Sequence, residues 1–196
     1  MMAAVYNEKK VIMNKEEISR TVKRLAMEIV EKNFGVKDLV VIGIQTRGVH
    51  LARRIINEMV AARLIQSVED VAFGKLDITL YRDDIASKSI PPLIRETEIP
   101  FDISDKKIIL VDDVIFTGRS IRAAMDELMD FGRPQSIQLA VFVDRGHREL
   151  PIEPNFTGKK FITTREELIA VELEESDGQD RIVLKTTASG DANVQS

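Results

Sequence analysis

Two stretches of the chain are almost unbroken runs of apolar, mostly β-branched residues: Leu39-Val40-Val41-Ile42-Gly43-Ile44 and Ile108-Ile109-Leu110-Val111. Such runs lack the in-and-out alternation of a half-exposed strand and are expected where a parallel sheet is covered on both faces. Each is followed by a short polar turn and then by apolar residues at helical spacing. These are Leu51, Ala52, Ile55, Ile56, Met59 and Val60 after the first run, and Ile121, Met125, Leu128 and Met129 after the second. Gly132 and Pro134 stop the second of these helices, and Ile137 to Val143 forms a third apolar run. Repeated strand–turn–helix units predict an α/β fold with a mostly parallel sheet.

The remaining pattern is weaker. An earlier helix is predicted by Asn14 standing three residues before Glu17, a capping box, and by the stripe Ile18, Val22, Leu25, Ala26, Ile29 and Val30; Gly35 is its expected C′ residue. Residues before Val11 are polar and read as loose, apart from Val11-Ile12-Met13. Val71 to Tyr81, with apolar and polar residues alternating well from Leu76, predicts a strand with one polar face. The charged, proline-containing segment from there to Lys106 reads as a lid, since structureless stretches of that length are uncommon in compact domains. Phe161-Ile162 and Leu168 to Leu173 read as short strands, and Arg181 to Lys185 as a last edge strand or hairpin partner. Residues 187–196 are small and polar and read as a disordered tail, leaving residues 1–186 as a single domain.

Composition removes several classes of chemistry. The chain has 196 residues, 44% of them hydrophobic, enough for one domain with a real core. No apolar run is long enough to span a membrane and no signal-peptide core stands at the N-terminus, so a cytoplasmic location is expected. With no cysteine, disulfides, thiolate metal sites and a cysteine nucleophile are excluded, and two histidines, His50 and His147, argue against a zinc cluster. A net charge of −4 argues against nonspecific nucleic-acid binding over the whole surface, though not against a local basic patch.

The chemistry concentrates after the second apolar run, in Asp112-Asp113-Val114-Ile115-Phe116-Thr117-Gly118-Arg119-Ser120. A hydroxyl-bearing loop at a helix N-terminus offers unpaired N–H groups and the positive end of the helix dipole, a phosphate site. Asp112 and Asp113 close the strand just before it and are acceptors for vicinal hydroxyls, so the pattern suits a 5-phosphoribose. Acid pairs at strand ends also serve as plain helix caps. The turn Gln45-Thr46-Arg47-Gly48 occupies the equivalent place after the first run, either as a second anion-binding turn or as an ordinary connection with a surface arginine. Arg20, Lys23 and Arg24 share the outer face of the first helix with Met27, either as a solvated basic face or as a docking surface for an anion or partner. Asp144 to Pro151 crowds Arg145, His147 and Arg148 at the same edge of the sheet.

An apolar strand, two acids and then Thr-Gly closely resemble the phosphoribosyl pyrophosphate (PRPP) signature of type I phosphoribosyltransferases. Asp77-Ile78-Thr79-Leu80-Tyr81-Arg82-Asp83-Asp84 and Val143-Asp144-Arg145-Gly146-His147-Arg148-Glu149-Leu150-Pro151 narrow the resemblance, over about Val11 to Lys185, to the bifunctional pyrimidine-operon attenuator and uracil phosphoribosyltransferase family. The resemblance implies a type I phosphoribosyltransferase fold, a central, mostly parallel sheet flanked by helices with a small hood. It implies that uracil and PRPP give UMP and pyrophosphate with Mg²⁺, a hard cation for which PRPP and water supply most of the shell near Asp112 and Asp113. On this reading Asp112 and Asp113 hold the ribose and stabilise the transition state, and Thr117, Gly118, Arg119 and Ser120 hold the 5′-phosphate. Thr46, Arg47, Gly48 and Arg82 hold the pyrophosphate, and Arg145 and the backbone near Ile169 read uracil.

The family's second activity, UMP-dependent binding of a leader mRNA stem-loop, makes Arg20, Lys23, Arg24, His147 and Arg148 RNA-binding candidates and implies at least a homodimer. Here the chain departs from the family. Members commonly read Thr-Arg-Ile-Ala-His-Glu on the first helix, whereas this chain reads Lys23-Arg24-Leu25-Ala26-Met27-Glu28, and Met27 cannot donate a hydrogen bond. A salvage enzyme without RNA binding and a purine phosphoribosyltransferase are the alternatives.

Overall fold

A computed structural model describes residues 6–79 and 96–187. Five parallel strands form the central sheet in the order β3-β2-β4-β5-β6: β2 (Leu39–Ile44), β3 (Ala72–Leu76), β4 (Lys107–Ile115), β5 (Ser136–Asp144) and β6 (Phe156–Lys160). The apolar runs are continuous because helices cover both faces. Val41, Ile109 and Val111 pack in one core with α1 (Lys15–Lys32) and α2 (Arg47–Ala61). Val40, Ile42, Ile108 and Leu110 point the other way, into a second core with α3 (Arg119–Phe131). From β2 the chain steps outward to β3, then returns past β2 to lay down β4, β5 and β6 on the other side. The strand order therefore reverses between β2 and β4, where open α/β sheets leave a ligand crevice beyond their C-terminal ends.

A separate antiparallel sheet, β1-β8-β7, makes the hood, from β1 (Tyr6–Met13), β7 (Glu167–Glu172) and β8 (Arg181–Thr187), with the one-turn α4 (Glu174–Asp177) between the last two. Here the local pattern misleads. Tyr6 to Lys10, read as loose, is paired through Tyr6↔Thr187 and Glu8↔Lys185, so polar residues are held in a strand by backbone bonds that no hydrophobic alternation announces. β8 is the centre of this sheet rather than an edge, and it runs to Thr187; residues 188–196 lie outside the described residues.

Other boundaries shift for local reasons. The capping box at Asn14 forms, with Glu17 N donating to Asn14 Oδ1 at 2.9 Å and Asn14 N donating to Glu17 Oε2 at 2.9 Å. At the far end of α1 the left-handed C′ residue is Phe34 (φ 56°), one before Gly35. Phe34 N donates to Glu31 O (3.1 Å) and Gly35 N to Val30 O (2.9 Å), closing a Schellman motif. β3 lies inside the strand predicted over Val71 to Tyr81 but ends at Leu76; residues 77–79 leave the strand, and Leu80, Tyr81, Arg82 and most of the predicted lid lie outside the described residues. β6 covers Phe156–Lys160, just ahead of Phe161-Ile162. Met129 is 55% exposed, and Ala124 takes its place in the core. Among the described residues no helix is long and apolar enough to cross a membrane.

Candidate active site

β4 outruns its neighbour on one side. β2 last pairs with it at Gly43↔Val111, whereas on the other side the pairing with β5 continues to Ile115↔Asp144. The two acids therefore sit within the strand rather than closing it, and the β2-side flank of the chain opens at Asp112. Asp112 Oδ1 accepts from Asp113 N at 2.9 Å and Asp113 Oδ1 from Val114 N at 2.8 Å. Each carboxylate is thus oriented by the main chain of its own strand. They face a cleft of about 290 Å³ that also takes in Gln45, Thr46, Arg47 and Ser120, with Ile44, Ile78 and Val114 as its apolar wall.

The turn after β2 reaches this cleft because of its glycines. A Cβ on Gly48 would lie 2.4 Å from the carbonyl oxygen of Val111, and one on Gly43 2.4 Å from Cα of Val49. Any side chain at either position would lift Thr46 and Arg47 away from β4. The Gln45–Thr46 peptide is cis. Arg47 enters an ion pair with Asp177 of α4, Nη2 to Oδ1 at 2.8 Å, and its guanidinium also bears on Asp113. Burial pushes the Asp113 carboxyl above the ordinary carboxylate range, while the nearby Arg47 charge and the Val114 N–H pull it back.

The loop before α3 is braced from behind. Gly118 is its left-handed N-cap (φ 92°), the region glycine adopts without strain. The carbonyl of Thr117 accepts from Glu149 N (2.9 Å) and Leu150 N (3.3 Å), and that of Phe116 from Arg148 Nη1 (3.0 Å). With its carbonyls tied back, the loop presents the first-turn N–H groups of α3, which by helix geometry point toward its N-terminus. Ser120 reaches the same cleft as the acids; Arg119 pairs with Glu149 at 2.8 Å.

Acids within a strand, a glycine-dependent turn with an arginine and an anion-ready helix start thus converge at the switch point. A model of the phosphoribosyl transferase domain matches residues 10–176. The chain is 49% identical over 176 residues to a bifunctional protein PyrR of Deinococcus radiodurans, covering 90% of this chain and 94% of that protein. A bifunctional protein PyrR of Bacillus cereus (strain AH820) is 51% identical over 179 residues, covering 89% and 96%. The chain belongs to the PyrR branch of the phosphoribosyltransferases. A hypoxanthine-guanine phosphoribosyltransferase of Bacillus anthracis shares the fold at 20% identity, with a TM-score of 0.66 over 90% of this chain and 98% of that one. The hypoxanthine phosphoribosyltransferase of Trypanosoma cruzi does so at 14% identity, with a TM-score of 0.66 over 92% and 98%.

In this phosphoribosyltransferase the other expected residues are dispersed. Arg145 is 5% exposed, and its guanidinium is engaged by Thr163 Oγ1 (3.0 Å), Thr164 O (3.2 Å) and Glu167 O (2.7 Å). Ile169 is buried in β7 and packs into the α1–α2 core. Arg20 and Lys23 are exposed on α1, but Arg24 is pinned to the carbonyls of Thr157 and Gly158 (3.1 and 2.6 Å) and paired with Glu28 (2.7 Å). Arg148 turns inward to Asp144 at 2.7 Å, and the His147 ring bonds the Thr163 carbonyl. Both are thus half-buried and engaged by partners of their own, whereas Arg20 and Lys23 stand exposed. Met27 is exposed beside the α1 cations, as its position on the helix predicts. Sequence reasoning missed Asp177 and the bracing role of Arg148. Nothing in their local pattern marks them, since each acts through a partner far away in the chain.

Proposed function

We propose that this phosphoribosyltransferase joins uracil to PRPP, releasing pyrophosphate and forming UMP, and that UMP governs its binding to a leader mRNA stem-loop. The enzymatic reading is carried by the facing of Asp112 and Asp113 with Ser120 and the α3 N-terminus across one cleft. That spacing suits a sugar whose hydroxyls meet the acids while its 5′-phosphate meets the Thr117-Gly118-Arg119-Ser120 loop. Thr46 and Arg47, on the β2 side, take the pyrophosphate, with Gly48 letting them approach. The carbon–nitrogen bond to the base forms as the bond to pyrophosphate breaks. The protein needs no covalent nucleophile, because positioning and charge stabilisation at the positive ring do the work. Asp113 is suited to the second role, since it sits in a site where burial makes an unpaired carboxylate costly and a nearby positive charge welcome.

Among the described residues no group of three or more acids or histidines could hold a metal ion. Two adjacent carboxylates fit magnesium in the manner it prefers, one or two protein oxygens with substrate phosphates and water completing the shell. Asp112 and Asp113 would hold it, directly or through water, and it would neutralise charge on the leaving pyrophosphate. Purified protein with Mg²⁺ and PRPP is expected to convert uracil to UMP and to leave guanine and hypoxanthine unchanged; turnover of a purine in place of uracil refutes the assignment.

The regulatory reading is supported by the shared description of the relatives as bifunctional and by exposed Arg20 and Lys23. It is tested by titrating the leader RNA of the cognate pyrimidine genes with and without UMP across a salt series. UMP-enhanced, sequence-selective affinity that falls steeply with salt is expected. Selective binding that is absent at moderate salt, in protein that makes UMP, leaves a salvage enzyme. Light scattering tests the expected dimer in the same preparation.

A further inference from the structure

Arg145 presents an unusual balance. It is a buried cation for which, among the described residues, no carboxylate forms an ion pair, and burial pulls its affinity for the proton down, with only the Glu167 charge opposing. Its neighbours are the acceptors at Thr163, Thr164 and Glu167 and one aromatic face: Cζ lies 3.8 Å from the centroid of the Phe116 ring. The His147 ring meets Phe116 edge-on, centroids 5.5 Å apart at 68°, and bonds the Thr163 carbonyl from the other side. Phe116 lies directly before Thr117 in the phosphate loop, while Thr163 and Thr164 connect β6 to the hood strand β7, which begins at Glu167. Loop, ring, guanidinium and hood entry thus form one continuous stack.

We infer that Phe116 is a positioning residue that couples the phosphate loop to the hood through Arg145. A phosphate entering the loop orders the backbone that carries the ring and draws on a guanidinium that, among the described residues, forms no ion pair and is offset only by the through-space charge of Glu167. Both effects tighten the stack and settle the Thr163–Glu167 segment, so filling the loop raises the affinity of the hood side for the base. By reciprocity, the base raises affinity at the loop by the same factor. The inference rests on the proposed phosphoribosyl transfer and adds a link between its two half-sites.

The test is calorimetric titration of uracil into the full chain with and without saturating ribose 5-phosphate, which fills the loop without supplying pyrophosphate. In the native protein ribose 5-phosphate is expected to tighten uracil binding by about fivefold or more. Phe116→Leu, which keeps apolar volume but removes the ring face, is expected to bring that factor below about twofold while ribose 5-phosphate still binds, and Phe116→Tyr to preserve it. Equal coupling in the leucine variant overturns the inference, as does its loss in a tyrosine variant with native thermal unfolding, or its absence from the native protein. If the native protein neither binds ribose 5-phosphate nor makes UMP, the proposed function falls as well; if it makes UMP without coupling, only the inference does.

Discussion

Gly48→Ala sets two magnitudes against each other. Gly48 lies in the first turn of α2, where alanine is worth about 1 kcal/mol more than glycine on helix propensity alone. Against that, the new Cβ would stand 2.4 Å from Val111 O and 3.2 Å from Asp112 Cα. Both are backbone atoms of the central strand, which is hydrogen-bonded to β2 and β5 and cannot retreat as a flexible side chain would. Overpacking of this kind costs about 3 kcal/mol, the upper part of its usual range, because the turn itself must shift. The net is a loss of about 2 kcal/mol, or roughly 4–8 °C in Tm for a chain of this size. Urea unfolding followed by circular dichroism is expected to show a lower midpoint with an unchanged slope, and steady-state assays a raised KM for PRPP as Thr46 and Arg47 lift from the cleft. Gly74→Ala is the control. Its nearest contacts, at 3.3 Å, include a movable Ile99 side chain, and it is expected to cost less than about 1 kcal/mol. A Gly48→Ala protein as stable as its parent refutes the claim that this glycine is what lets the two turns meet.

Other perturbations separate function from stability. Asp113→Asn is expected to cut UMP formation by about 100-fold or more. Because the folded pKa is raised, Asp113 withholds stability as pH climbs from the ordinary carboxylate range through that higher value, so the unliganded variant should be more stable than the parent at neutral pH; equal stability would show that Arg47 fully offsets burial. Glu127, 6% exposed, accepts from Thr97 Oγ1 at 2.7 Å and has a buried Oε2 with no hydrogen-bond partner among the described residues; burial first, then the Asp77 and Asp130 charges, raise its pKa against the pull of Thr97. Its contribution therefore also declines with rising pH, and Glu127→Gln should flatten the stability–pH curve above the ordinary glutamate range, a change read from unfolding midpoints across a pH series. Arg54 meets Glu175 and Asp180 through four hydrogen bonds, so Arg54→Ala strands two acids and is expected to cost about 2–3 kcal/mol in chemical unfolding, with the loss growing at low salt; an unchanged midpoint would show that solvent already screens the network.

Much of the parallel core was legible because it is written locally. Buried parallel strands need uninterrupted apolar runs, and the helices between them need a stripe, so β2, β4, β5, α1, α2 and α3 could be placed from residue spacing alone. The two turns with chemistry were legible for a related reason. The loop proposed to hold phosphate is built from consecutive residues, with glycine where φ is positive at Gly118 and hydroxyls beside the helix start.

The hood and the wiring of the site were not written in that way. β1 is a strand because β8 lies beside it, more than 160 positions away in the chain, and its polar residues carry no alternation to reveal the pairing. Asp177 approaches Arg47 only because α4 lies against the turn after β2, and Arg145 stacks on Phe116 because parallel β4 and β5 end in register at Ile115↔Asp144. The identities of the acids, the glycines and the loop before α3 were thus determined by the amino-acid order itself. Where the acids face, which cations stay on the surface and which are drawn inward were decided by tertiary packing, since those outcomes depend on partners that no local pattern can specify.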